Sequence, residues 1–193
     1  MRFQLLSDSW TLDVLTPTEW ELVSELPDIA SGELFSEKAR ERLYPSPISP
    51  EVLVDEEMAS QSEDWDEYVR PDLEDSFSQA RELVDADLQK ASLIEPSEFL
   101  SPEQIEEWQG DFPQLRRVSV PIDHTESWYS ALNQARILLN EEHDVAESGD
   151  RLLLRAELAG DPAELDHDRI LLLTQYELFS AIQMMLIENV MAP

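Results

Sequence analysis

The hydrophobic residues of this chain recur mostly at spacings of three and four, as they do in helices that bury one face. Two long helices are predicted in this way, one over residues 72–92 and one in the stretch ESWYSALNQARILLN at residues 126–140. Residues 163–191 are apolar on nearly every side, so we expect a third long helix at the centre of the core. Helices therefore form most of the predicted structure.

Alternation of hydrophobic and polar residues, which is typical of strands, is confined to two places. The N-terminus predicts two short strands, Phe3–Leu6 and Thr11–Leu15, joined by a tight turn. A third strand is predicted over Arg117–Ile122, and we expect it to pair with the N-terminal hairpin. Its predicted buried face consists of Val118, Val120 and Ile122. We therefore predict a mainly α fold, a single compact helical domain spanning residues 1–193 with a small antiparallel sheet.

Four helix starts are marked by capping boxes, in which a Ser, Thr or Asp is followed three residues later by Glu or Gln. They are TPTE at 16–19, SPEQ at 101–104, DHTE at 123–126 and DPAE at 161–164. In three of the four a proline follows the capping residue, where its fixed φ suits the first helical position. We expect a helix to begin at each of these sites.

One segment departs from the helical pattern. Three prolines, Pro45, Pro47 and Pro50, prevent a helix, and eleven acidic residues against a single Arg follow in residues 51–75. We predict a Pro-rich acidic connection at about 45–70 within the one domain. A docking tail for a basic partner is one interpretation of it. A solvated loop that leads into an acid-rich helix start is favoured.

The charge of the chain restricts its partners. The formal net charge is −30, from 43 acidic against 13 basic residues, and such a field repels nucleic-acid phosphates and anionic membranes. We therefore expect no direct nucleic-acid binding, and a basic protein partner or weakly bound divalent cations are compatible with the charge. An acidic mimic of nucleic acid is an alternative. A solvated acidic surface, such as a salt-adapted organism uses, is favoured as the explanation of the charge, because solubility already accounts for it and only two of the basic residues are Lys.

The N-terminus MRFQLLSDSW lacks the hydrophobic run of a signal peptide, so a cytoplasmic location is expected. The apolar C-terminal helix is long enough to raise the question of a membrane span. Its polar residues Gln175, Glu177, Gln183 and Glu188 would need partners in lipid, where an acidic side chain costs about 2.5–3.5 kcal/mol. A core helix is therefore favoured over a membrane span.

Motifs of catalysis and metal binding are missing from the sequence. There is no Cys, no P-loop, no GxGxxG or GxSxG motif, and none of the three His has another at i+3 or i+4. We expect His124 and His167 to lie exposed beside helix starts. The sequence nominates no catalytic residue, cofactor or metal, so a non-enzymatic protein is predicted.

The stretch at 126–140 contains two polar residues among its hydrophobic ones, Asn133 and Arg136. At about 100° per residue, Trp128 lies within the apolar stripe, while Arg136 flanks it and Asn133 lies further round. From that edge Arg136 can lay its stem on the core and reach a polar group of a neighbouring helix. We predict a structural clamp in which Arg136 contacts Gln183 or an acidic residue.

The two C-terminal helices resemble the bacterial family of uncharacterised proteins called DUF2017. That family carries a Trp, then an Ala-Leu-Asn-x-x-Arg core with trailing leucines, and a final helix with Tyr, Leu and Gln. The matching residues here are Trp128, Ala131, Leu132, Asn133, Arg136, Leu138, Leu139, Tyr176, Leu178, Phe179 and Gln183. The chain departs from the family at Gln134, where an Asp is usual, and by a longer insert at 147–161.

The resemblance implies a regulatory role, because in some relatives the gene lies near that of a Clp-protease adaptor and others are linked to stress regulation. We therefore expect a protein that binds another protein, one that is basic or connected with the stress response or proteolysis. The candidate interaction residues are Trp128, Asn133, Arg136, Tyr176 and Gln183. An enzyme or small-molecule binder that uses the polar residues around Arg136 is the alternative. The oligomeric state is left open.

Overall fold

A computed structural model of the chain describes residues 1–46, 60, 62–107, 111–146, 149–150, 154 and 166–192. Its four strands form one antiparallel sheet in the order β1-β2-β4-β3. The strands are β1 (Arg2–Leu5), β2 (Ser9–Leu15), β3 (Ser92–Leu93) and β4 (Arg116–Pro121). The predicted N-terminal hairpin and its pairing with the third strand are confirmed. The short strand β3 was not expected from the sequence.

The remaining elements are helices, so the predicted mainly α fold with a small antiparallel sheet is confirmed. The α-helices are α1 (Pro17–Ser24), α2 (Leu26–Ser31), α3 (Glu37–Glu41), α4 (Arg70–Leu88), α5 (Pro102–Glu107), α6 (Thr125–His143) and α7 (His167–Leu186). A π-helical turn, Trp65–Val69, leads into α4, and another, Ile187–Met191, follows α7. Gly32 ends α2 in the left-handed conformation, with φ of 77°.

Two of the predicted capping boxes are present and one is not. Thr16 and Glu19 bond to each other's backbone N–H groups, and Ser101 and Gln104 do the same. The box predicted at 123–126 is wrong. A 3-10 turn, Ile122–His124, precedes α6, and its N-cap makes no side-chain hydrogen bond. The DPAE signal at 161–164 lies outside the described residues.

The predicted third strand also ends earlier than expected. Strand β4 stops at Pro121, and Ile122 begins the 3-10 turn with its side chain exposed. The N–H of Ile122 bonds to the carbonyl oxygen of Asp8 at 3.0 Å, which fastens this turn to the β1–β2 loop. The expectation that Ile122 shares the buried face of Val118 and Val120 is therefore wrong.

The acidic connection predicted at about 45–70 is helical over its last residues, from 62 onward. Arg70 explains part of this difference, because it pairs with Asp66 at 3.9 Å and Glu74 at 3.0 Å, one helical turn to either side. The N–H of Arg70 bonds to the carbonyl oxygen of Trp65, and this wider π turn directly precedes Pro71. Most of the rest of the connection, at 47–59, lies outside the described residues.

The sheet and the helices share one core, and α6 rather than the C-terminal helix lies at its centre. Helix α6 packs against α2, α3, α4 and α7. On the sheet side Trp10 and Leu12 of β2 lie opposite Val120 and Val118 of β4, and all four are fully buried. Helix α7 buries one face and leaves the other in solvent, which corrects the expectation of a helix that is buried all round.

Candidate functional site

A buried carboxylate joins α4 to the start of α6. Asp87 of α4 is fully buried, and its Oδ2 accepts a hydrogen bond from Trp128 Nε1 at 3.1 Å. The same oxygen lies 2.9 Å from His124 Nδ1. Lys90 Nζ approaches the other oxygen, Oδ1, at 3.5 Å. We call these four residues the Asp87 cluster, and in it every polar contact converges on one carboxylate.

The cluster continues into the sheet through two tryptophans. Trp10 of β2 and Trp128 meet edge to face, with ring centroids 5.2 Å apart and an interplanar angle of 81°. Trp10 Nε1 donates to Thr125 Oγ1 at 3.1 Å, and this hydroxyl donates to the carbonyl oxygen of Ile122 at 2.6 Å. Thr125, the first residue of α6, therefore links the sheet to the turn before α6. The predicted capping box does not form because Asp123 lies inside the 3-10 turn and His124 occupies the N-cap position.

His124 is held in a way that an active site could use, because Asp87 orients its ring through Nδ1. Its side chain is 21% exposed, so the expectation of a solvent-exposed His is wrong. Among the described residues, its hydrogen bond is to Asp87, and no hydroxyl is bonded to it as a nucleophile would be. The described residues also contain no group of three or more His, Cys, Asp and Glu that could hold a metal ion.

The second polar arrangement lies between α6 and α7. Arg136 Nη1 donates to Gln183 Oε1, and Nη2 lies 3.4 Å from the hydroxyl oxygen of Tyr176. The guanidinium carbon is 5.3 Å from the centroid of the Tyr176 ring, within the range of a cation–π contact. We call these three residues the Arg136 clamp. The predicted contact between Arg136 and Gln183 is therefore present.

Arg136 has no ion-pair partner among the described carboxylates, although the chain carries 43 acidic residues. Its partners are an amide, a phenol and an aromatic face, all of them neutral. Its Nε is buried and has no hydrogen-bond partner. A guanidinium forms its strongest contacts with carboxylates and phosphates, so this arrangement leaves binding capacity unused.

The structure thus brings together three of the five candidate residues, Arg136, Tyr176 and Gln183. Trp128 belongs to the Asp87 cluster, and Asn133 is exposed on α6, further from the apolar stripe than Arg136. Asp87 and His124 were missed. A signal for Asp87 was present, because Asp87 lies three residues after Val84 and four before Ala91, within the predicted apolar stripe of α4.

Another buried carboxylate lies in the sheet. Asp13 of β2 is 1% exposed, and it accepts hydrogen bonds from Arg2 Nη2 at 2.5 Å and Arg117 Nε at 2.9 Å. It also accepts from the N–H of Val14, which adopts φ of 57° at the bulge in β2. Burial alone would raise the pKa of Asp13, but the hydrogen bonds and charges of the two arginines outweigh it and lower this pKa.

Open cavities on the described surface include one of about 400 Å³, lined mostly by charged residues of α3 and α4. A second, of about 270 Å³, lies between α1 and α7. A third, of about 320 Å³, is lined by residues of α4 and α6 that include Ser127 and Ser130. None of these three is lined by Arg136 or His124, so neither polar cluster opens into them.

A stripe of exposed apolar residues follows one side of α7 and of the π turn after it, and we call this surface the outer face of α7. Met184, Ile187 and Met191 follow one another at spacings of three and four and are 54%, 46% and 42% exposed. Helix α7 and the π turn after it, His167–Met191, are also the one described helical segment that is long and apolar enough to cross a membrane. A core helix meets the same criterion, and α7 packs its inner face against α1 and α6.

Comparisons with protein-family models, with curated proteins and with solved structures found no match to the chain. The resemblance to DUF2017 therefore stays a prediction that rests on the residues of the C-terminal helices.

Proposed function

We propose that the protein is a non-enzymatic regulator that acts by binding another protein through the outer face of α7. The observation that supports the proposal is the exposed stripe of Met184, Ile187 and Met191 in a chain of net charge −30. Large apolar side chains held in water cost free energy, and a contiguous group of them commonly marks an interaction site.

Hydrogen bonds hold the inner face of α7 against the rest of the protein, so the outer face is fixed in position. The Arg136 clamp ties it to α6, and Gln175 Nε2 donates to Glu25 Oε2 at 2.8 Å and to the carbonyl oxygen of Leu22 at 3.3 Å. Asp166 caps its start by accepting from the N–H of Arg169 at 2.8 Å. A preorganised surface loses less conformational entropy when a partner binds. The partner that the resemblance implies is a cytoplasmic protein of the stress response or of proteolysis.

Capture of partners from native lysate tests this proposal. The double variant Met184→Ser/Ile187→Ser should lose a protein that the wild type retains, because the apolar contact is removed while charge is unchanged. The matched control is Leu34→Ser/Leu93→Ser, which removes two exposed leucines elsewhere in the molecule. If both variants retain the same proteins as the wild type, the outer face of α7 is not the binding site.

A second candidate function is supported by the neutral partners of Arg136. We propose as the alternative that Arg136 binds the carboxylate of a small molecule, since its Nε has no hydrogen-bond partner and no described carboxylate pairs with it. A panel of small carboxylic acids should then raise the melting temperature of the wild type but not of Arg136→Met. An equal response of the two proteins would remove this alternative.

A further inference from the structure

The chemistry of the outer face of α7 restricts what can cover it. Its three exposed apolar side chains extend over residues 184–191, about 10 Å along the axis, or two helical turns. A partner helix with apolar residues at matching spacings of three and four fits a stripe of this length. Two of the three side chains are methionines, whose flexible thioethers adapt to partners of different shape.

Residues 170–191 contribute only acidic charges to this face. Glu177 lies seven residues before Met184 and therefore on the same side of the helix, and Glu188 lies four residues after it. Residues 170–192 contain no Lys, Arg or His. Glu188 is exposed, so a partner that covers the stripe must bring its own cations or leave a carboxylate near a surface that has lost its water.

From this complementarity we infer that the outer face of α7 binds a basic amphipathic helix of the partner protein. The inference rests on the proposed function and specifies the class of partner for the same site. The apolar stripe supplies the contact area, and Glu177 and Glu188 attract the Lys and Arg residues that flank the apolar face of the partner.

Charge also argues against two other occupants. A second copy of this chain would bring the same two glutamates and its own net charge of −30 to the contact, so the copies repel each other. An anionic membrane surface is repelled for the same reason. A basic helix carries positive charge, so this acidic face attracts it.

The test uses three synthetic peptides of one amphipathic helical pattern. The apolar positions are Leu in all three, and the polar positions are Lys, Gln or Glu. Binding to the full chain is measured by fluorescence anisotropy at several salt concentrations. We expect the Leu/Lys peptide to bind, the Leu/Gln peptide to bind about tenfold more weakly, and the Leu/Glu peptide not to bind.

Variants then separate a specific site from general attraction to an acidic protein. Met184→Ser/Ile187→Ser should weaken binding of the Leu/Lys peptide by about tenfold or more, because two central apolar contacts are lost. Leu34→Ser/Leu93→Ser should change it by less than about twofold. Glu188→Gln should weaken binding and reduce its dependence on salt. Circular dichroism confirms that each variant keeps its helices.

Several results would overturn the inference. No loss in either double variant means that the peptide binds by charge alone, and equal loss in both means that it binds exposed apolar residues without preference for α7. Equally tight binding of the Leu/Gln peptide means that the partner need not be basic. A dimer that dissociates in Met184→Ser/Ile187→Ser, seen by sedimentation equilibrium, assigns the face to a second copy. Binding to vesicles that contain anionic lipid, lost in the same variant, assigns it to a membrane.

Different results would exclude the protein-binding function and the basic class of partner. If the Leu/Gln peptide binds as well as the Leu/Lys peptide but the lysate partner is still lost in Met184→Ser/Ile187→Ser, the protein-binding function stands and only the basic class of partner is wrong. If the α7 variants change neither the lysate partners nor peptide binding, both are wrong.

Discussion

Two polar arrangements hold helix α6 to its neighbours, and they differ in the partners of the charged group that each contains. In the Asp87 cluster a fully buried anion collects Trp128, His124 and Lys90 around it. In the Arg136 clamp the partners of the cation among the described residues are all neutral, and its N–H group at Nε is buried without a hydrogen bond to any of them. Both oxygens of the Asp87 carboxylate thus have polar partners, whereas the Arg136 guanidinium keeps one N–H group without a hydrogen bond to the described residues.

This difference indicates which of the two charged side chains can be removed with the smaller loss in the free energy of unfolding. Removal of Asp87 leaves the indole N–H of Trp128 and the Nδ1 of His124 inside the protein without their acceptor, and such unpaired groups are costly. Removal of the Arg136 guanidinium leaves one amide oxygen unpaired and also removes the unsatisfied Nε. We therefore assign the Asp87 cluster to stability and regard the Arg136 clamp as the more replaceable contact.

The largest expected effect follows from Asp87→Ala. It should lower the free energy of unfolding by about 2–4 kcal/mol, because the acceptor of two buried groups is lost and a cavity remains. Urea denaturation followed by circular dichroism measures this. Asp85→Ala, two residues earlier on the exposed side of α4, is the matched control and should change stability by less than about 1 kcal/mol. Equal effects of the two variants would contradict the structural role of the cluster.

A smaller effect is expected for Arg136→Met, which keeps most of the apolar stem. It should cost about 1–2 kcal/mol, because the hydrogen bond to Gln183 and the contact with the Tyr176 ring are lost. Asn133→Ala on the exposed side of α6 is the control and should have almost no effect.

Unchanged stability of Arg136→Met would show that the clamp does not stabilise the fold. Ligand binding would then better explain a guanidinium that has no carboxylate partner among the described residues. A double-mutant cycle with Gln183→Met sharpens the result, since a real clamp should show a coupling free energy of about 1 kcal/mol.

Asp13 extends the comparison to an interior anion whose two paired cations are both arginines. Its pKa is lowered below the ordinary value of 3.8, so its contribution to stability is fully present above that value and is lost as pH falls through the folded-state pKa. Between about pH 5 and pH 2.5 the free energy of unfolding should therefore fall more steeply in the wild type than in Asp13→Asn. Parallel curves from acid titration of the two proteins would contradict this assignment.

The smallest expected effect concerns the outer face of α7. Met184→Ser should change the free energy of unfolding by less than about 0.5 kcal/mol, because the side chain is largely in solvent and packs little in the monomer. Thermal unfolding measures it, with Met185→Ser as the contrast, since Met185 packs partly against the core. A large loss in Met184→Ser would mean that the stripe serves the fold and not a partner.

Local signals predicted the parts of the fold that depend on neighbouring residues. The caps at Thr16 and Ser101 form because each box closes within four residues. The box at 123–126 failed because Asp123 lies in a 3-10 turn, whose first residue, Ile122, bonds to the distant carbonyl oxygen of Asp8. That contact crosses more than a hundred residues of chain, and no local pattern contains it.

In the candidate site, too, helical position could be predicted from neighbouring residues, whereas contacts between distant elements mostly could not. Helical geometry placed Arg136 at the edge of the apolar stripe, and its contact with Gln183 followed because the two helices pack side by side. Asp87 and His124 could not be paired from the sequence, because they lie 37 positions apart on different elements. Asp87 could still have been flagged as a charged residue within an apolar stripe. Its partners required the packing of α4 on α6.

The shortness of the sheet edges has a consequence for how this protein can associate. The two edge strands, β1 and β3, have four and two residues, so they offer few backbone hydrogen bonds to an added strand. Growth by strand addition, which leads to aggregates and fibrils, has almost no template on this molecule. The short edges of the described sheet therefore favour assemblies built from side chains on helices, which form and separate without remodelling the backbone.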